Sequence, residues 1–241
     1  MRDSLIVLLI AAVILSVIPS CSDQPYAIQE SLLRCPDEVV IHRGEATYYW
    51  GANGEGSCSF DSSEDGMIGA MNIVDFSRSQ ICGACVSITG PDSTILIRIV
   101  DLCPECPRGD IDLSPASFSK IADTLLGRVP ITWKVVPCNV NGPIEYRFKD
   151  SVNQWWTAVQ IRNHRYPIYS IEYLNSNNTF QNLPRESYNY FAGYTNMGEK
   201  PFTFRVIDIY GHVLIDSGIV PVYMKNISGK NQFPLCGIHE H

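Results

Sequence analysis

The chain has 241 residues, 45% hydrophobic and 10% aromatic, with a formal charge of −7. That length and apolar content exclude a disordered chain and leave room for one large or two small domains. The acidic balance argues against nucleic acid or an anionic membrane surface as the main partner; an uncharged polymer held by stacking and hydrogen bonds fits it.

The first expected element is a targeting segment. Arg2 precedes an apolar run from Leu5 to Ile18, broken only by Ser16, and then comes Pro19-Ser20-Cys21. The run is short for a membrane span and suits the apolar core of a secretory signal. Residues 1–21 are therefore expected to be a signal peptide, with a secreted mature protein and no membrane span. Ile18-Pro19-Ser20-Cys21 also loosely resembles a bacterial lipobox, in which Cys21 would carry a lipid anchor; simple secretion is the preferred reading. Residues 22–41 read as a polar N-terminal leader.

Nine cysteines occur, at 21, 35, 58, 82, 85, 103, 106, 138 and 236. Without Cys21 an even number remains, which in a secreted chain reads as up to four disulfides. The spacing Cys82-x2-Cys85 and Cys103-x2-Cys106 also fits a four-thiolate zinc site. The oxidising compartment favours disulfides, so no metal and no cofactor are expected.

From 42 to 138 the chain is dense in Gly, Cys and short β-branched runs. Ile95–Val100 and Ile131–Val136 read as strands. Between them Ser114 and Pro115 read as the N-cap and first residue of a helix, with Phe118, Ile121, Leu125 and Leu126 along its apolar face. Many short strands with little helix suit a small β-barrel. Residues 139–143 form a turn-rich linker. Beyond it, 145–149, 168–173, 202–207 and 212–215 alternate as strands between Asn, Gly and Pro clusters, which suggests a β-sandwich over 144–224 and a tail over 225–241.

Five ordered motifs then carry a family resemblance: Thr47-Tyr48-Tyr49-Trp50-Gly51, Asp101-Leu102-Cys103-Pro104, Gly109-Asp110-Ile111-Asp112-Leu113-Ser114, Lys134-Val135-Val136-Pro137-Cys138 and Trp155-Trp156. Together they resemble the expansin family, above all its microbial members. The resemblance implies a mainly β chain: a six-stranded double-psi β-barrel followed by an immunoglobulin-like, cellulose-binding β-sandwich. It implies the disulfides Cys58–Cys82 and Cys85–Cys138, with Cys103–Cys106 as a local bridge and Cys35–Cys236 left to tie leader to tail.

By the same resemblance Asp112 is the essential carboxylic acid of a glucan groove, with Asp101 and Thr47 beside it and Tyr49 and Glu105 as further contacts. A desolvated carboxyl group stays protonated more readily and can donate to a glycosidic or hydroxyl oxygen; read without the family, Asp112 would only support the turn before Ser114. The family-45 glycoside hydrolases share the barrel, and their opening strand reads Thr-x-Tyr-Trp-Asp, the last residue being the catalytic base. Here Gly51 stands there. An inverting hydrolase needs that second carboxylate to activate water, and Asp61 or Glu64 would be its replacement only from a neighbouring loop. The resemblance thus implies binding and slippage of glucan chains without hydrolysis.

In the second domain Trp155, Trp156 and Tyr188 match the family's row of sugar-stacking aromatics, and Lys149 a supporting polar contact. Adjacent strand residues face opposite ways, so Trp155 and Trp156 share a surface only if the chain bends there. Asn177 and Asn226 begin glycosylation sequons. The leading expectation is a monomeric, secreted wall-loosening protein whose partners are cellulose and matrix glucans, with peptidoglycan as a further candidate polymer. The alternatives are a glucanase or a lytic transglycosylase using Asp112 as general acid, and a pure carbohydrate-binding protein.

Overall fold

Local chemistry sets the strands of the first half. In the computed structural model, which describes residues 39–150, 153, 155–194, 197–198 and 200–236, β1 (His42–Tyr48), β2 (Ile68–Asn72), β3 (Cys85–Thr89), β4 (Thr94–Cys103), β5 (Ile111–Leu113) and β6 (Val129–Val136) close into a barrel of order β1-β5-β2-β4-β3-β6. The pairs β1/β5 and β2/β4 are parallel and the others antiparallel. This is the double-psi β-barrel. Ile88, Ile97, Ile99, Ile111, Leu113 and Phe118 fill its interior, each contributing about 1.5–3 kcal/mol by leaving water.

A short helix α1 (Ile73–Phe76) follows β2, and the helix α2 (Pro115–Ile121) follows β5 directly. Ser114 caps it, its hydroxyl accepting from the Ser117 amide at 3.0 Å, and Pro115 stands in the first turn. The helix is shorter than the expected apolar stripe. It ends at Ile121, and a separate 3-10 turn, Thr124–Leu126, leaves Leu125 91% and Leu126 62% exposed. The Asp123 side chain caps that turn by accepting from the Leu125 amide, which starts a new element in another direction.

The second half forms two four-stranded sheets. One has the order β10 (Phe180–Leu183), β9 (Ile168–Leu174), β12 (Phe202–Asp208), β13 (Val213–Ile219); the other has β11 (Phe191–Gly193), β8 (Thr157–Arg162), β7 (Glu145–Phe148), β14 (Asn226–Ser228). Tyr146, Phe148, Val159, Ile161, Phe191 and Phe204 pack between them as an immunoglobulin-like sandwich core. The last strand, β14, pairs with β7, and Phe233 is fully buried in the same core. Asn226–Ser228 and Phe233 therefore belong to the sandwich rather than to a tail: β14 covers an edge of β7 that would otherwise stand unpaired.

Strand β8 is buried along its whole length. Val159 and Ile161 face the sandwich core, while Gln160 and Arg162 face the barrel. The Gln160 side-chain amide donates to the Cys58 carbonyl at 2.9 Å, and Arg162 donates to Asp61 at 2.5 Å and to the Ser59 carbonyl at 3.0 Å. Asn189 donates to the same Cys58 carbonyl at 3.2 Å. At Gly83 the barrel backbone meets the ring of His164, where a Cβ would lie 2.6 Å from Nε2. These buried polar contacts fix the two domains on each other.

Three disulfides occur among the described residues: Cys58–Cys82, Cys85–Cys138 and Cys103–Cys106. Cys82, Cys85, Cys103 and Cys106 are distributed over all three, so they do not form a common thiolate site. The pairing expected for Cys35, the leader and the Cys21 reading lie outside the described residues. No helix among the described residues is long and apolar enough to cross a membrane.

Candidate functional site

Register across the barrel assembles the polar row. Thr47 of β1 stands opposite Asp112 of β5, Asp112 opposite Ala70 of β2, and Ala70 opposite Asp101 of β4. A shift in the β2/β4 register between Gly69 and Ala70 brings Asp101 into line. The row alternates with buried neighbours: Ala46, Ile111 and Leu113 point into the core, leaving Thr47 and Asp112 half-buried on the outer side.

The Thr47 hydroxyl donates to Asp112 Oδ1 at 2.5 Å. Burial pushes the Asp112 carboxyl above the usual carboxylate range; the Thr47 hydrogen bond opposes that, Glu105 adds repulsion and Arg128 pulls it back. Tyr49 is half-buried and within electrostatic reach of both carboxylates. Burial, then the charges of Asp101 and Asp112, push its phenol up to about 12, so it remains a proton donor. Asp101 is anchored by backbone, its Oδ1 accepting from the amides of Ser57 at 2.7 Å and Leu102 at 2.8 Å. Gly56 is needed for that approach, since a Cβ there would stand 2.5 Å from the Asp101 carboxyl carbon.

The loop between β4 and β5 holds Asp112 from below. Trp133 Nε1 donates to the Gly109 carbonyl at 2.7 Å, the Gly109 amide donates to Asp75 at 3.0 Å, and Asp110 accepts from the Glu45 amide at 2.8 Å. The Cys103–Cys106 bridge closes the start of the same loop, and Glu105 within it is exposed.

Gly51 has φ +88° and open space around its missing side chain. The turn after β1 thus favours glycine and brings no carboxylate to the row. Asp61 is committed elsewhere: it bridges Arg162 at 2.5 Å and Arg147 at 3.3 Å, and the Arg162 hydrogen bond first of all holds its carboxyl below the usual range. Glu64 is exposed beside a separate cavity of about 700 Å³. That larger cavity, also lined by Phe60, Arg98 and Asn163, excludes every member of the polar row.

A smaller cleft of about 320 Å³ leads from the barrel to the sandwich, lined among others by Glu55, Gly56, Arg147, Lys149 and Tyr190. Beyond it lie the aromatics. Trp155 and Trp156 precede β8 in a turn closed by Asn153, whose side chain accepts from both their amides at 2.8 and 3.0 Å. This bend lifts the strand rule of opposite faces. Trp155 is 67% exposed, while Trp156 and Tyr188 rest half-buried on Ala158, Tyr190 and Ala192. Lys149 Nζ stands 5.7 Å from the Tyr188 ring and 5.3 Å from that of Tyr190, within cation–π range.

Asn177 sits exposed in the β9–β10 turn, whereas the Asn226 amide donates to Glu145 at 2.8 Å within β14. Sequence reasoning gave no role to Trp50, which is 81% exposed, or to Asn153. An Asn two residues before an aromatic pair is an Asx-turn signal and could have marked the bend. The contacts of Gln160 and Arg162 carry no local signal.

A family model described as lytic transglycolase matches residues 42–133, the barrel. Expansin-YoaJ of Bacillus subtilis is 33% identical over 206 residues, which cover 80% of this chain and 87% of that protein. Expansin-like protein 2 of Dictyostelium discoideum is 35% identical over 177 residues, 71% of this chain but 42% of that longer protein. The apo expansin of Clavibacter michiganensis superposes with a TM-score of 0.76 at 25% identity, covering 82% of this chain and 100% of that one. A mutant of the same expansin, solved in complex with cellohexaose, matches with the same figures.

Proposed function

The chain belongs to the expansin family, and from that premise we propose that it binds the glucan chains of cellulose and matrix polysaccharides and loosens cell walls without hydrolysing them. It acts outside the cell, as a monomer, with no cofactor. The observation that carries this reading is the Thr47–Asp112 hydrogen bond in a row whose acid has a raised pKa and whose base position is Gly51. A protonated Asp112 donates to a sugar oxygen and competes with the chain-to-chain hydrogen bonds of the glucan. With no water-activating carboxylate at position 51, displacement rather than hydrolysis follows. The aromatic turn of the sandwich supplies sequence-independent grip on flat sugar faces, and the Clavibacter complex with cellohexaose supports that ligand class by similarity.

A second reading is favoured by the description of the barrel's family model: lytic cleavage of peptidoglycan, which a single acid can perform. Both are tested together. Cellulosic paper under constant load should creep when the wild type is added, with no release of reducing sugar, and Asp112→Asn should abolish the creep. Soluble oligosaccharide, or anhydro-sugar fragments from peptidoglycan, released by wild type and not by Asp112→Asn, would establish the lytic reading in its place.

A further inference from the structure

We propose that Trp50 is a second aromatic anchor for the glucan, gripping it on the side of Asp112 that lies away from the sandwich; this rests on the glucan-binding reading above. The polar row has a direction. Its Asp101 end abuts Gly56, which lines the cleft shared with Lys149 and Tyr190, so this end faces the sandwich aromatics. Its other end is Thr47 on β1, three strands across the barrel from β4, roughly 14 Å at ordinary strand spacing. Trp50 follows in the chain just past the last β1–β5 backbone bond, from the Tyr49 amide to the Leu113 carbonyl at 3.1 Å.

The ring of Trp50 is held at that far end. It meets the Tyr48 ring edge-on, with centroids 6.0 Å apart and planes at 79°. Tyr48 is itself fixed by Phe118 at 4.9 Å and by its hydroxyl, which donates to the Thr124 carbonyl at 3.3 Å. Thr124 opens the turn that leads into β6, the neighbour of β1 on the side away from β5. Tyr49, by contrast, feels the charges of Asp101 and Asp112.

Among the described residues, nothing covers Trp50. It is 81% exposed, and the adjoining turn exposes Leu125 and Leu126 as well. A large ring presented on a fixed base loses little conformational entropy on binding. A glucan lying along the row would thus meet aromatic rings beyond both ends, Trp155, Trp156 and Tyr188 on one side and Trp50 on the other, with the acid between. A chain held on both sides of the acid can be strained there, and only a chain long enough to reach both anchors gains from Trp50.

The test uses the chain's four tryptophans. Trp133 is 2% exposed, so Trp155→Phe with Trp156→Phe leaves Trp50 as the one solvent-facing indole. Cellohexaose should then change the tryptophan emission saturably, cellobiose should not, and adding Trp50→Phe should remove the change. In the otherwise wild-type chain, Trp50→Ala should weaken cellohexaose binding by calorimetry about three- to tenfold, the range expected for one stacked ring. Cellohexaose binding with silent emission and an affinity unaltered by Trp50→Ala would overturn the anchor and leave the glucan-binding reading standing. No binding of cellohexaose by the wild type would overturn both.

Discussion

At Asp112 two opposed effects meet on one carboxyl group. Burial raises its pKa and the Thr47 hydroxyl, 2.5 Å away, lowers it by stabilising the ionised form. Thr47→Val keeps the shape and removes the donor, so the Asp112 pKa should rise further and the protonated form should persist to higher pH. A carboxyl-carbon NMR titration of Asp112 in the two proteins reads this directly, and wall creep should extend to higher pH in parallel. A downward shift in Thr47→Val would show that the hydroxyl does not stabilise the carboxylate. Thr47 and Asp112 were both legible in the sequence because a family motif marks them. Trp50 stood in the same motif, but its exposure depends on what the fold packs over it, which no local pattern reveals.

Among the elements, α2 shows how a cap holds more than a helix. The Ser114 hydroxyl accepts from the Ser117 amide and donates to the Gly66 carbonyl at 2.5 Å, while the Ser117 hydroxyl accepts from the Ile68 amide at 3.1 Å. Ser114 is 1% exposed, so Ser114→Ala strands buried polar groups. The expected cost is about 2 kcal/mol, lowering Tm by roughly 4–8 °C in a chain of this size. A melt within about a degree of wild type would mean that water replaces the hydroxyl. The cap was readable from Ser-Pro, a local signal. Leu125 and Leu126 fit the helical period equally well, but Asp123 caps a new turn and ends the period. Strand β8 escaped detection because both its faces are covered, one by the sandwich core and one by the barrel, which erases alternation.

On the scale of the whole molecule, acid favours the site and loosens the scaffold. His164 is buried at the joint, 4% exposed, with its Nδ1 2.8 Å from the Tyr166 carbonyl. Burial first, then the charges of Arg98 and Arg185, hold its pKa down at about 3, well below that of a free imidazole. Protonation therefore favours the unfolded chain. The stability that this histidine contributes as a neutral group is complete above about pH 6.5 and falls away as pH drops towards 3, by a few kcal/mol in all. Thermal unfolding between pH 7 and 4 should show Tm falling, with a shallower fall in His164→Gln. Equal slopes for the two proteins would place the acid-labile group elsewhere. An acid optimum for creep would thus be bounded below by unfolding as Asp112 gains its proton from above.

The sequence by itself determined the class of the molecule: a mainly β chain with a small barrel and a sandwich, and an even set of cysteines suited to disulfides. These follow from local preferences, while the disulfide pairings and the choice of Thr47, Asp101 and Asp112 as a polar site were implied by the resemblance of ordered motifs to the expansin family. Only the tertiary structure decided that Thr47, Asp112 and Asp101 stand in one register row, that an Asn153 turn lifts Trp155 out of the strand, and that Gln160 and Arg162 fuse the domains. Each of these depends on partners far apart in the chain or on a bend that periodicity cannot encode. The reason is physical: strand pairing and burial are properties of neighbours in space, and a barrel with parallel crossovers makes neighbours of segments far apart in the chain.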